Sequence, residues 1–172
     1  GACAGNRNAA TAYEPGSGST IMAYAGICGV GNVQVFSDPY FHNVSVNEMY
    51  TFVTGAGNSC AARTATGNNE PVANAGSDYS IPKGTAFILT GTGSDPDADA
   101  VTYLWEQYDL GSSVTGPPVS TSVSGPAYRS FLPSSSPSRY MPVFSSVLSN
   151  NLTPTWEVTP SVARTLNFRL LV

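Results

Sequence analysis

The stretch VTYLWEQY, residues 101–108, decides the fold of this 172-residue chain. Its Val101, Tyr103 and Trp105 lie on one face of an extended strand, whereas Glu106 lies on the other, because successive side chains of a strand alternate. A strand with one apolar face needs a second sheet opposite that face. The stretch therefore predicts a strand whose Tyr103 and Trp105 are buried between two antiparallel sheets.

Two other stretches around it have the features of short strands. TAFILTG (85–91) follows a turn and contains three consecutive apolar residues, and TLNFRLLV (165–172) alternates apolar and polar positions. Clusters of Gly, Pro and Ser separate the strands, and residues 71–172 have the size of an immunoglobulin-like domain. We predict a mainly β fold, an immunoglobulin-like antiparallel β-sandwich over 71–172 in which Leu166, Phe168 and Leu170 share the core with Trp105.

The polar joint TGNNEP (66–71) separates this domain from a first segment, residues 1–66. The first segment is mostly irregular, and sixty-odd residues of this kind cannot readily form a stable core alone. We expect it to pack on something else.

The first segment contains one helix signal. Ser45 and Glu48 form a capping box, so the pattern predicts a helix that is capped by Ser45, runs to about Thr54 and ends at Gly55. Its apolar residues Met49, Phe52 and Val53 (49–53) would form one face.

Composition limits the function. Charged residues make up 10% of the chain and the net charge is −4, with no basic patch, which argues against a nucleic-acid partner. No apolar run approaches the ~20 residues that span a bilayer. A surface rich in Ser, Thr, Asn and Gly is typical of secreted β-rich domains, so we expect an extracellular protein whose targeting segment has been removed or lies upstream.

The three cysteines all lie in the first 60 residues. Their spacing fits neither a zinc ribbon nor a redox pair, and an extracellular chain favours a disulfide. We predict that Cys3 pairs with Cys28, which closes a loop around a segment without its own core, and that Cys60 is the odd one, although Cys60 could replace either partner.

STIMAYAGIC (19–28) is the most specific stretch of the chain. It resembles the Met-turn of metzincin zinc peptidases, in particular bacterial reprolysin-like enzymes, and SDPYFHNVSVNEMYTFV (37–53) resembles the stretch that leads into their closing helix. The resemblance implies that Met22 forms the hydrophobic floor beneath a catalytic zinc. It also implies that Tyr24 ligates zinc or stabilises the oxyanion of the intermediate.

The family's zinc helix, H-E-x-x-H-x-x-G-x-x-H, is absent, and His42 is the single histidine. A lone histidine among aromatic residues is more often structural than a ligand. The resemblance therefore implies the C-terminal fragment of a secreted metallopeptidase whose parent binds zinc and cleaves protein or peptide substrates. The chain alone would bind no catalytic zinc and would be inactive.

The second segment has its own resemblance. Residues 71–107 are similar to the start of polycystic-kidney-disease-type (PKD) domains, immunoglobulin-like modules that accompany secreted bacterial hydrolases, in the GSDPD turn (93–97) and in Tyr103 and Trp105. The sandwich would bind a polysaccharide or a protein. Asp95, Asp97 and Asp99 on that turn could hold calcium; the alternative is a solvated turn that binds no ion.

A different class of function remains open. The chain could be a non-enzymatic extracellular binding or adhesion module of immunoglobulin-like fold, whose first segment only resembles a peptidase.

Overall fold

A computed structural model describes residues 7–60, 62–111 and 116–172. This part of the chain is β-rich, with small antiparallel sheets and few helices. The strands are β1 (Val72–Asn74), β2 (Phe87–Thr90), β3 (Thr92–Ser94), β4 (Leu104–Gln107), β5 (Ser138–Met141) and β6 (Phe168–Leu171). The α-helices are α1 (Asn43–Thr54) and α2 (Phe144–Leu148), and short 3-10 turns span Ala9–Thr11, Gly29–Gly31 and Ala56–Ser59. None of the described helices is both long and apolar enough to cross a membrane.

The strands pair in three antiparallel two-stranded sheets, β1 with β3, β2 with β5, and β4 with β6. The three strands that the sequence predicts are confirmed as β2, β4 and β6, each four residues long. In the sheet of β4 and β6, Trp105 lies opposite Leu170 and Glu106 lies opposite Arg169. This register gives the sheet an apolar face and a face that carries charged residues.

The core forms around Trp105, which is only 4% exposed. Its indole Nε1 donates a hydrogen bond to the Pro137 carbonyl at 2.9 Å, so the ring is buried without an unpaired donor. The prediction that Leu166, Phe168 and Leu170 share this core is confirmed. Around Trp105 the core contains Leu89, Ala127, Tyr128 and Met141, with Phe87, Leu166, Phe168 and Leu170 packed against them.

Tyr103 is half-buried, so the prediction that it is buried with Trp105 is wrong. It precedes β4 and makes an isolated antiparallel bridge with Ser134, with Tyr103 N donating to Ser134 O at 2.7 Å. Its ring lies beside Gly93, where an added Cβ would come within 2.9 Å of it. Tyr103 is therefore at the margin of the sheet, where the neighbouring chain covers it only in part.

Helix α1 begins earlier than predicted. His42, not Ser45, is the N-cap: its backbone is extended and its Nδ1 accepts a hydrogen bond from Val44 N at 3.3 Å. Ser45 lies within the first turn, where it is buried. The predicted end is confirmed, because the helix stops at Thr54 and Gly55 follows it.

The first segment packs on the charged face of β4, so all four residues of that strand are buried. Asn43 N, at the start of α1, donates to Glu106 Oε2 at 2.7 Å. Nearby, the Tyr40 hydroxyl donates to Ser130 Oγ at 2.6 Å and the Tyr13 ring stacks on Tyr108 with centroids 4.3 Å apart. Strand β4 is thus covered on both faces.

Candidate functional site

The Met-turn-like stretch forms a tight turn. Ala23 N donates to Thr20 O at 3.0 Å, which closes a four-residue turn with Met22 at its third position. Tyr24 N donates to Ser17 O at 2.9 Å, and Ile21 N donates to Tyr40 O at 3.0 Å. The turn is therefore tied to the chain before it and to the stretch that leads into α1.

Glu14 holds the base of this turn. Its Oε1 accepts hydrogen bonds from Ser19 N at 2.8 Å and Thr20 N at 3.2 Å, and its Oε2 accepts one from the Thr20 hydroxyl at 2.6 Å. The close approach requires glycine at position 18, where φ is +70° and a Cβ would lie 2.9 Å from the Glu14 carboxyl group. A carboxylate with three donors is a strong local constraint.

We predict that Glu14→Gln destabilises the protein by about 2 kcal/mol, because the amide loses the charge-assisted bonds and cannot accept at both ends. Urea unfolding at neutral pH measures the change. Glu70→Gln, at an exposed carboxylate of the joint, is the matched control and should leave the unfolding midpoint unchanged. Equal stability of Glu14→Gln and the control would contradict the role given to Glu14.

The turn presents Met22 outward. Ser17, Ser19 and Thr20 are buried at its base, whereas the Met22 side chain is 66% exposed. Other apolar side chains of the first segment that are also exposed are Ile21, Ile27, Val30, Val35 and Phe36. The predicted floor residue thus lies on a segment with much exposed apolar surface.

Tyr24 is half-buried. It follows Met22 by two residues and its backbone is fixed by the bond to Ser17, so its position is set by the same turn. Tyr24 and Met22 therefore belong to the same hydrogen-bonded turn. The role of Tyr24 in catalysis stays a prediction.

His42 lies apart from this outward surface. It is 2% exposed, and its ring lies beside the stacked pair of Tyr13 and Tyr108, at centroid distances of 6.1 and 6.5 Å. Burial lowers the pKa of His42, since the charged form would lose its hydration. A neutral His42 that caps α1 has the structural role that the sequence predicts.

Glu106 is the site residue that sequence reasoning missed. It is 0% exposed, and its Oε2 lies 3.9 Å from His42 Nε2, while its Oε1 has no hydrogen-bond partner within the described residues. Burial raises the pKa of Glu106 to about 8, against the lowering effect of the bond from Asn43 N. The alternation of residues 101–108 predicted that Glu106 and Trp105 lie on different faces of the strand. It did not indicate that another segment covers the face with Glu106.

The predicted calcium turn is held by internal hydrogen bonds. Asp95 Oδ1 accepts from Asp97 N at 2.7 Å and from Asp99 N at 3.4 Å. Both oxygens of Asp97 accept hydrogen bonds from Asn69, at 2.7 and 2.9 Å, and these bonds lower the pKa of Asp97. In the described ranges, no three His, Cys, Asp or Glu side chains are grouped so that they could hold a metal ion. Calcium binding stays a prediction.

Cys60 is a free, exposed thiol, as predicted for the odd cysteine. The pairing of Cys3 with Cys28 stays a prediction, because Cys3 lies outside the described residues.

The chain was compared with known protein families, curated proteins and solved structures. No family model, curated protein or solved structure matches the chain.

Proposed function

We propose that this chain is the C-terminal part of a secreted metzincin-like zinc metallopeptidase, followed by a PKD-type accessory domain. The observation that carries the proposal is the turn at 19–24, where the sequence STIMAY forms a hydrogen-bonded loop that displays Met22. In the parent enzyme, Met22 would form the floor of the zinc site. Tyr24 would donate its phenol hydrogen to the oxyanion, where fixed donors contribute most.

Helix α1 supports the proposal through its exposure. Every residue from 46 to 54 is exposed, including the predicted apolar face of Met49, Phe52 and Val53, at 41%, 62% and 55%. Several exposed apolar side chains on one helix are typical of a surface that another polypeptide covers. We infer that the catalytic part of the parent, which would precede the turn, packs against α1 and Met22.

We expect that the residues of this chain do not form a catalytic zinc site themselves. Such a site takes three protein ligands, whereas the single histidine is buried at the start of α1 and its Nδ1 is already used as a cap. Zinc binding would therefore belong to the proposed upstream helix. What this chain supplies is the turn, the closing helix and the accessory domain.

For residues 71–172 we propose the immunoglobulin-like sandwich. Three antiparallel pairs and one core around Trp105 support it, since short antiparallel strands packed around a shared core are the elements of such a sandwich. In this domain the strands would form two facing layers, and the domain would act as a spacer or as a binding module.

The proposal predicts different behaviour for the chain alone and for the chain extended upstream. The extended polypeptide should contain about one zinc per molecule and cleave casein in a chelator-sensitive way, because the resembled family holds zinc on three histidines of one helix. The chain alone should do neither. Metal analysis and a casein digest of both proteins make the test. Stoichiometric zinc and cleavage by the chain alone would contradict it.

Within the extended enzyme, Tyr24→Phe should lower kcat about 100-fold and leave KM nearly unchanged, because it removes one donor to the transition state. Tyr79→Phe, at an exposed tyrosine of the second segment, is the matched control. An active extended enzyme in which Tyr24→Phe retains full kcat would show that Tyr24 has no part in the chemistry. If the extended polypeptide has no zinc and no activity, the alternative of a binding or adhesion module is favoured.

A further inference from the structure

A cleft of about 250 Å³ opens in the second segment, away from the turn and from α1. It lies between the 131–136 segment, β4 and the start of α2. Aromatic rings line much of it, among them Phe131, Tyr140 and Phe144. Tyr140 and Phe144 form a tilted pair with centroids 4.7 Å apart and are 41% and 48% exposed. Exposed rings beside a cleft are typical of a ligand site.

The one charged side chain that lines the cleft is neutralised by a carboxylate behind it. This residue is Arg139, and its Nη2 is paired with Glu157 Oε1 at 2.9 Å. An ionic ligand would therefore find no uncompensated partner, and a neutral ligand fits the site better.

The serine hydroxyls on the wall of the cleft offer acceptors rather than donors. Ser134 Oγ donates to Ser136 O and accepts from Ser136 N, both at 3.2 Å. Ser136 Oγ repeats the arrangement, donating to Ser138 O at 3.1 Å and accepting from Ser138 N at 3.2 Å. A hydroxyl has one donor and two acceptor lone pairs, so each of these retains one lone pair for a ligand.

We propose that this cleft binds a neutral saccharide chain. A sugar ring has an apolar face of C–H groups that can lie on Tyr140 or Phe144, and its hydroxyls can donate to the free lone pairs of Ser134 and Ser136. A proline-rich peptide, the other neutral ligand that aromatic grooves accept, lacks the N–H donors that these serines require. The cleft is built only from residues 103–144, so this inference does not depend on the proposed peptidase origin.

The test is an NMR titration of the full chain with cellohexaose, chitohexaose and xylohexaose. At least one should shift the amide signals around Tyr140 and Phe144. The variants Tyr140→Ala and Phe144→Ala should each lower the association constant about tenfold, because each removes a stacking ring. Tyr79→Ala, at an exposed tyrosine outside the cleft, is the control and should bind as the unchanged chain does.

Two results would overturn the proposal. One is the absence of shifts with all three saccharides, whether or not a polyproline peptide binds. The other is saccharide binding that both cleft variants retain in full. Circular dichroism of the variants shows that a lost affinity does not reflect unfolding.

Discussion

Trp105→Ala should destabilise the protein by about 3–5 kcal/mol, the range expected when a buried tryptophan is truncated in a core. The ring is almost fully buried among Leu89, Tyr128 and Met141, so its loss leaves a cavity that these side chains cannot fill. The Pro137 carbonyl also loses one of its two hydrogen-bond donors and keeps the bond from Gly91 N at 3.2 Å.

Thermal and urea unfolding, followed by circular dichroism, measure this change. Trp105→Phe retains most of the apolar volume and should cost less than Trp105→Ala, which separates the cavity effect from the lost hydrogen bond. Tyr79→Ala, at a residue that is 69% exposed, is the matched control for an aromatic truncation. A loss below about 1 kcal/mol for Trp105→Ala would contradict the position of Trp105 at the centre of the core.

Glu106 should make the protein less stable as the pH rises. Its pKa in the folded protein is about 8, against 4.5 for an unburied glutamate. Between these values the folded state binds a proton that the unfolded state releases, so stability falls with increasing pH in this window and levels off above about pH 8. The total loss is on the order of 5 kcal/mol.

His42 contributes with the opposite sign, because its pKa is lowered from 6.5 and its contribution rises with pH as the unfolded histidine deprotonates. The interval from pH 6.5 to 8 therefore reports mainly on Glu106. The other charged groups that face Glu106 are Glu14, which raises its pKa, and Arg139, which lowers it.

Glu106→Gln removes the titration while it keeps the shape of the side chain. The unchanged protein should lose on the order of 2 kcal/mol of unfolding free energy relative to this variant between pH 6.5 and 8. Urea unfolding at each pH measures this difference. Glu48→Gln, at an exposed position of α1, is the matched control for the same substitution. A constant difference for Glu106→Gln would mean that Glu106 is ionised throughout this interval.

The sequence predicted the strands around Trp105 because alternation and turn residues are local signals. The apolar alternation of 165–172 likewise placed Leu166, Phe168 and Leu170 correctly. Tyr103 was misplaced, since alternation indicates a face but not where along the strand the covering chain ends.

Tertiary contacts explain the other differences. The capping box at Ser45 and Glu48 is a valid local signal, yet the imidazole of His42 caps α1 three residues earlier. At the same helix end, Asn43 N donates a hydrogen bond to Glu106. Glu106 itself could not be predicted as buried, because its cover comes from a segment 63 residues away in the chain. The role of Glu14 was missed for a similar reason, since nothing in its local sequence marks it as the acceptor for the turn.

We propose that the turn with Met22 and Tyr24 is the lower part of a zinc peptidase site. Determination of the sequence that encodes the polypeptide directly upstream of Gly1 tests it most directly. The account predicts an H-E-x-x-H-x-x-G-x-x-H motif there, on a helix whose three histidines would lie above Met22. An upstream sequence without that motif, or with a start signal directly before Gly1, would contradict it.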